Sequence, residues 1–313
     1  MAVDTVAPVA VRSLRQTLAA YRAGGGDPTT QLTDHSFLQA TYTPDGPATL
    51  ALRWTRDPAP VDDCGLVAEA WGPGRAWMLG AVDDLTGAAD RPSEAMRQFD
   101  AAPLAVSRAL RDTRTIHIGA SRNLYHALLP TVIAQRITGH EALRQWRRLC
   151  RALGTPAPGP AAIVGAVLLP PSPDSLRSRP AWWFHPLGIE AKRARALTEV
   201  ARHHDKFWGW AAAGSATAGS KLRLIPGLGP WTVGSVLGPA LGDPDAVPVG
   251  DFHFPHIVAW NLAGEARATD ERMLELLQPY HGQRGRVLRA LVRTGQGAPA
   301  FGPRRRTLAI QHL

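Results

Sequence analysis

The stretch Leu224-Ile225-Pro226-Gly227-Leu228-Gly229-Pro230-Trp231-Thr232 constrains this chain more than any other feature. Residues 217–225 read as a short helix that ends in apolar Leu222, Leu224 and Ile225. Pro226 and Gly227 stop it, because proline cannot continue a helix and glycine accepts positive φ. Pro230 suits the first position of a second helix, for which Trp231, Val233, Val236 and Leu237 supply an apolar face. Between the helices, Gly227 and Gly229 carry no side chains, so a ligand can approach the backbone closely.

The second helix indicates what that ligand is. Its first N–H groups lack intrahelical acceptors and its dipole is positive at that end, which suits a phosphate. Gly227, Gly229, Pro230 and Thr232 are the expected phosphate-binding residues of a helix-hairpin-helix. A dinucleotide fingerprint does not fit: Gly234 is misplaced as its third glycine, and a helix, not a strand, precedes. Gly214 and Gly219 have P-loop spacing, but Ser220-Lys221 runs in the reversed order. A packing corner without nucleic acid is the plain alternative. One helix and one loop further on, Asp251 stands at the start of a helix expected over residues 252–262. Alone it reads as an N-cap.

Composition agrees with a polyanionic partner. The chain has 35 Lys+Arg against 26 Asp+Glu, a net charge of +9 and a pI near 10.5; such an excess favours binding that releases counterions from phosphates. At 313 residues and 45% hydrophobic, it can bury a sizeable core in two domains or one compound one. No apolar run reaches membrane-spanning length and residues 1–10 lack a secretory pattern, so no membrane partner and a cytoplasmic location are expected. Two cysteines, Cys64 and Cys150, cannot build a four-cysteine iron–sulfur or zinc site.

The expected organisation has four parts. Residues 1–33 read as a flexible leader, broken by Gly24-Gly25-Gly26-Asp27-Pro28. Residues 34–110 form a small α+β domain with antiparallel strands at 37–42, 48–54 and 65–71, a hairpin turn at 44–47 and a short helix at 93–100. Residues 111–297 are helical: a buried helix over 125–138 ended by Gly139, and basic amphipathic helices over 141–153 and 189–203. The last helices cover 270–277 and 285–294. Residues 298–313 form a basic tail.

With the hairpin and Asp251 in place, the chain resembles the bacterial 3-methyladenine DNA glycosylase II family, within the helix-hairpin-helix glycosylases. The match is strongest from about Leu124 to Thr294, and includes the segment Leu129-Pro130-Thr131-Val132-Ile133-Ala134-Gln135-Arg136-Ile137-Thr138. The resemblance implies an α+β architecture, with a small N-terminal sheet domain followed by two all-helical lobes flanking a DNA cleft. It implies double-stranded DNA with damaged bases as partner and release of alkylated purines; a monomer is the default expectation for an enzyme that wraps a bent duplex.

Asp251 would be the catalytic carboxylate, stabilising the oxocarbenium-like transition state as the base leaves. The resemblance maps an aromatic base pocket onto Phe37, Trp231, Phe252 and Tyr280, which would hold a cationic base by stacking and cation–π attraction. Trp231 stands where lyase-type relatives carry a Schiff-base lysine, and Lys221 lies too early to replace it, so simple hydrolysis is implied. Gln135 and Arg136 fall at the wedge that fills the gap left by the flipped nucleotide. The carbonyls of Arg223, Ile225 and Leu228 would hold a Na+ or K+ ion; no other cofactor is expected.

Three departures open the substrate question. Ser235 replaces a pocket tyrosine, Gly250 replaces a second acidic residue, and His253 and His256 stand close after the carboxylate. A glycosylase for deaminated or oxidised purines is the alternative enzyme. A non-catalytic DNA-binding protein is the alternative of another class.

Overall fold

The computed structural model describes residues 3–5, 13–55, 65–92, 94, 103–114 and 116–298. Cys64, most of the helix expected over 93–100 and the tail from 299 lie outside them.

Five antiparallel strands form one sheet in the order β1-β5-β4-β3-β2: β1 (Val3–Thr5), β2 (Thr30–Leu32), β3 (Ser36–Thr43), β4 (Gly46–Trp54) and β5 (Leu66–Trp71). The tight turn at Pro44-Asp45 fixes the register by pairing Thr43 with Gly46, and Phe37 then lies opposite Leu52. Alternation sends Phe37, Leu50, Leu52 and Ala68 to one face, under α1 (Leu14–Leu18), α2 (Arg75–Gly80) and α3 (Val82–Thr86). The other face, with Leu38, Ala40 and Ala51, packs on Ala157, Val164, Val167 and Leu169 of the proline-rich connection.

Within the described residues, 13–33 are no free leader. Leu14 and Leu18 enter the sheet's core, and β2 extends the sheet beside β3. Gly24 and Gly26 adopt φ of +114° and +73°, and Asp27 is buried. The glycines serve a built turn, where the sequence suggests a break.

The helices are α4 (Leu104–Thr113), α5 (Leu124–Ile133), α6 (Gly139–Leu153), α7 (Ala161–Val164), α8 (Pro173–Arg177), α9 (Ala191–Arg202) and α10 (His204–Ala212). After these come α11 (Ser215–Leu222), α12 (Pro230–Leu241), α13 (Phe254–Ala263), α14 (Asp270–Leu277) and α15 (Arg284–Arg293). They bury two separate cores. One gathers Leu128, Leu129, Trp146, Leu197, Phe207 and Val236 from α5, α6 and α9 to α12. The second gathers Val106, Leu110, Val258, Met273, Leu277 and Leu291 from α4 and α13 to α15. Helix α4 packs on α13 and α15, so residues 104–110 belong with the last helices and not with the sheet domain.

Helix α5 stops at Ile133, five residues before the expected end, and Gly139 opens α6 instead of closing α5. Thr138 is the N-cap of α6, its hydroxyl accepting the Glu141 N–H at 3.3 Å. Thr138-Gly139-His140-Glu141 has the capping-box order, a start signal that outweighs the glycine. Arg193 closes α5 from beneath: its guanidinium donates to the Ile133 carbonyl and to Gln145 Oε1, both at 2.7 Å.

Candidate active site

The hairpin joins α11 to α12. Gly227 has φ of +89°, and a Cβ there would lie 2.7 Å from the Cβ of Ala196, so the turn needs glycine for its backbone and for its seat on α9. The Leu228 N–H closes the turn on the Ile225 carbonyl at 3.1 Å, and the Val233 N–H starts α12 on the Gly229 carbonyl at 3.0 Å. Ile225 and Leu228 are buried anchors, whereas Leu224 projects into solvent.

Gln135 braces the hairpin from the neighbouring loop. Its Nε2 donates to the Gly227 carbonyl and to Thr232 Oγ1, each at 2.9 Å. Thr232 is buried and its hydroxyl already serves Gln135, so its side chain is not turned outward to a phosphate. Next to Gln135, Arg136 is exposed with φ of +62°, one of two non-glycine residues in the left-handed region among those described. Such backbone costs on the order of 1 kcal/mol and persists where its surroundings over-determine it; here Arg193 holds one side and Gln135 the other.

The loop from α12 to α13 carries Asp251 into place through close packing and one ion pair. Gly234 lies directly against the Val247 carbonyl, and Gly285 against the backbone at Ala246, where side chains would collide. Arg284 grips Asp245 through its backbone N–H (3.0 Å), Nε (2.9 Å) and Nη2 (2.5 Å). Burial alone would raise the Asp245 pKa, but these bonds outweigh it and hold the carboxyl below the usual range.

Asp251 then receives three N–H donors. Its Oδ1 accepts from His253 at 2.8 Å and Phe254 at 3.1 Å, and its Oδ2 accepts from Trp231 Nε1 at 2.9 Å. The capping role at the start of α13 is thus made, and α13 begins at Phe254, later than residue 252. The indole bond ties the same carboxylate to the hairpin helix.

His256 Nδ1 accepts the Ala268 N–H at 3.1 Å and is structural. Among the described residues no group of three or more metal-ligating side chains forms.

Asp251, Trp231, Ser235 and Phe254 wall one side of a cavity of about 450 Å³. The aromatic box expected around it is not assembled. Phe37 is wholly buried in the sheet's core, edge-on to Tyr21 at 6.3 Å, and Tyr280 is buried in the core of the last helices. Neither lines the cavity, and Phe252 stands outside it, 74% exposed and edge-on to His253. Only Trp231 of the four aromatics reaches the site. The Ser235 hydroxyl donates to the Trp231 carbonyl at 2.7 Å, on the shared face of α12.

The opposite wall is basic. Arg286, Arg289 and Arg293 follow one face of α15 at spacings of three and four, and Arg114 and His117 join them. Sequence reasoning missed this stripe, although its helical spacing was readable. Arg286 is spent on Asp90 (2.6 Å) and Gln283 (2.8 Å). Arg289 donates from Nη2 to the Asp243 carbonyl at 3.2 Å, and among the described residues no carboxylate lies within ion-pair range of it. Burial, then neighbouring Arg286, lowers its pKa to about 10, which leaves it charged at neutral pH. Gly238 makes its seat: a Cβ there would collide with Nη1.

Not every expected basic side chain faces outward. Arg193 is the buried brace already described, and Arg147 donates to the carbonyls of Gly26 (2.9 Å) and Gly25. No helix among the described residues is long and apolar enough to cross a membrane.

No protein-family model matches the sequence, and no curated protein matches it either. Solved structures do match in shape. A 3-methyladenine DNA glycosylase from Archaeoglobus fulgidus superposes with a TM-score of 0.71 at 15% identity, over 93% of this chain and 97% of its own. MBOgg1, in complex with a low-affinity DNA ligand, gives 0.67 at 13%, over 95% and 100%. The apo 8-oxoguanine glycosylase/lyase of Clostridium acetobutylicum gives 0.59 at 10%, over 84% and 98%. At such identities the likeness is one of fold, and the chain has the fold of the helix-hairpin-helix DNA glycosylases.

Proposed function

We propose that the protein is a monofunctional DNA glycosylase of base-excision repair, acting as a monomer on duplex DNA that contains a damaged purine. The observation that carries this reading is the Asp251–Trp231 bond at 2.9 Å, which fixes a carboxylate on the wall of a base-sized cavity beside a phosphate-gripping turn. In this reading the two helical cores are lobes on either side of the DNA cleft. The turn at Gly227 and Gly229 holds a backbone phosphate, and Arg136 fills the stack once the nucleotide is flipped. Carbonyls of Arg223, Ile225 and Leu228 would hold a monovalent cation that faces the same phosphate; the Ile225 carbonyl, which accepts the Leu228 N–H, keeps one lone pair for a share in it.

Cleavage builds positive charge on the sugar as the base departs. The Asp251 carboxylate, oriented by three N–H groups, lies where it opposes that charge and directs a water to the anomeric carbon. Hydrolysis without strand cleavage is supported by the lysines: Lys192, Lys206 and Lys221, the chain's three, line neither this cavity nor its neighbour. The test is release of free base from lesion-bearing duplexes by wild type and Asp251→Asn. The variant should bind duplex and lose roughly 10²–10³ in rate. Equal rates would remove Asp251 from its role, and nicked product would overturn the monofunctional reading. Alkylated purines are the substrate the sequence resemblance implied. A specific observation, the basic wall, favours the deaminated purines instead.

A further inference from the structure

Resting on the glycosylase reading, we propose that the cavity beside Asp251 selects a neutral or anionic purine presenting O6 and N7 as acceptors, the deaminated class of hypoxanthine and xanthine, over cationic alkylpurines. Arg289 is the specificity-determining residue. Its guanidinium is wedged against Gly238, uses one nitrogen on the Asp243 carbonyl, and has no carboxylate partner among the described residues. The side chain is part of the cavity's lining. Arginine presents donors only, in a fork that matches a paired O6 and N7. Undamaged guanine presents the same pair, so the fork sorts among damaged purines, and the choice against guanine falls to the lower cost of flipping a mispaired base.

The same fork rejects the alkylated bases on two counts. A 7-methylguanine has lost the N7 acceptor, and a 3-methyladenine offers an amino donor where the fork also donates. Both are cations, and the wall they would meet carries Arg289, Arg293 and Arg114, with Asp251 as the one carboxylate among the described residues of the lining. An aromatic box could offset that repulsion. Here Phe37 and Tyr280 are committed to cores and Phe252 stands outside. An 8-oxoguanine is disfavoured more mildly, because its N7 carries a proton.

The leaving group gives this wall a second use. When the N9–C1′ bond breaks, its electron pair departs on the base. A cationic base is neutralised by that pair and needs no help, whereas a neutral deaminated purine becomes an anion. The Arg289 guanidinium stabilises this charge at O6 and N7 without giving up a proton. Water then adds its oxygen to C1′, with one proton staying on the new hydroxyl and the other ending on the released base.

The test is single-turnover release from duplexes carrying hypoxanthine, xanthine, 8-oxoguanine or methylated purines, each rate divided by spontaneous loss. Wild type should give its largest enhancements with hypoxanthine and xanthine. Arg289→Leu should lower those about tenfold to a hundredfold, the range of one bidentate arginine–base pair, through kcat more than KM, and should lower 3-methyladenine release far less. Arg289→Lys keeps charge without the fork and should recover part of the loss. Duplex binding and thermal midpoints of both variants separate this from misfolding. A larger enhancement for 3-methyladenine, or one deaminated-to-alkylated ratio across all three proteins, overturns the selection and leaves the glycosylase intact. Release of no base by wild type overturns the glycosylase reading itself.

Discussion

Trp231 stands between two cavities of similar size, about 450 Å³ on the Asp251 side and about 390 Å³ toward the sheet domain. Both contain a carboxylate, a histidine and an arginine, so a list of lining residues does not tell them apart. Hydrogen bonding does. On the sheet side Asp27 accepts Ala23 N–H (2.8 Å), Thr29 N–H (3.0 Å), the Thr29 hydroxyl (2.9 Å) and Trp146 Nε1 (2.9 Å). His126 is bridged to Thr29 at 3.0 Å and Thr41 at 2.9 Å. Asp27 and His126 spend their capacity on the protein, which is the pattern of a structural network, while Arg22 Nε is buried there without a hydrogen-bond partner among the described residues. On the other side Asp251 accepts three N–H groups, one of them from the hairpin helix, and Arg289 donates to the Asp243 carbonyl and has no carboxylate partner among the described residues.

The largest effects should split along that division. Asp251→Asn should cost roughly 10²–10³ in rate with little change in thermal midpoint. Asp27→Ala should do the reverse. It strands the Trp146 indole and two backbone N–H groups in a buried setting, at about 3 kcal/mol, so urea unfolding shifts while the rate per folded molecule holds. A rate loss in Asp27→Ala beyond its unfolded fraction would mean that the second cavity also takes part in the reaction.

His126 sharpens the comparison through pH. Burial drives its pKa down to about 4, and nearby Asp27 only partly opposes this. The unfolded chain therefore binds the proton more tightly, with an ordinary pKa near 6.5. Stability is full above that value and falls as pH drops toward 4. Between pH 7 and pH 5 the loss attributable to this residue should be about 2 kcal/mol. Unfolding of wild type and His126→Asn at both pH values checks it; an equal pH slope in the two proteins would exclude His126 as the cause.

The two sides also differ in how far they could be read from sequence. The hairpin and Asp251 are local: proline, glycine and a short spacing fix their geometry, and strands at 36–43, 46–54 and 66–71 follow from alternation and a turn. The Asp27 network joins residues far apart in the chain, and Gly24-Gly25-Gly26-Asp27-Pro28 looks like a break until Trp146 and Arg147 arrive from α6 to bond it. The aromatics failed for the same reason. Phe37 and Tyr280 carry no local mark that separates core from cavity, and only tertiary packing decides. Arg289 was readable as part of a helical stripe, but its lack of a carboxylate partner was not.

The smallest effect concerns Trp231, one of the residues that both cavities share. Trp231→Phe keeps the ring between them and removes the indole N–H that Asp251 Oδ2 accepts. The backbone bonds from His253 and Phe254 still hold Oδ1, so the carboxylate stays near its place and loses one constraint. A hydrogen bond to a charged acceptor is worth about 1.5 kcal/mol, which corresponds to roughly tenfold in rate. Base release should therefore fall about tenfold in kcat, with duplex affinity and thermal midpoint close to wild type. An unchanged rate would show that the backbone cap alone orients Asp251. A loss as deep as that of Asp251→Asn would show that the ring itself contacts the flipped base, and the wall between the cavities would then belong wholly to the site.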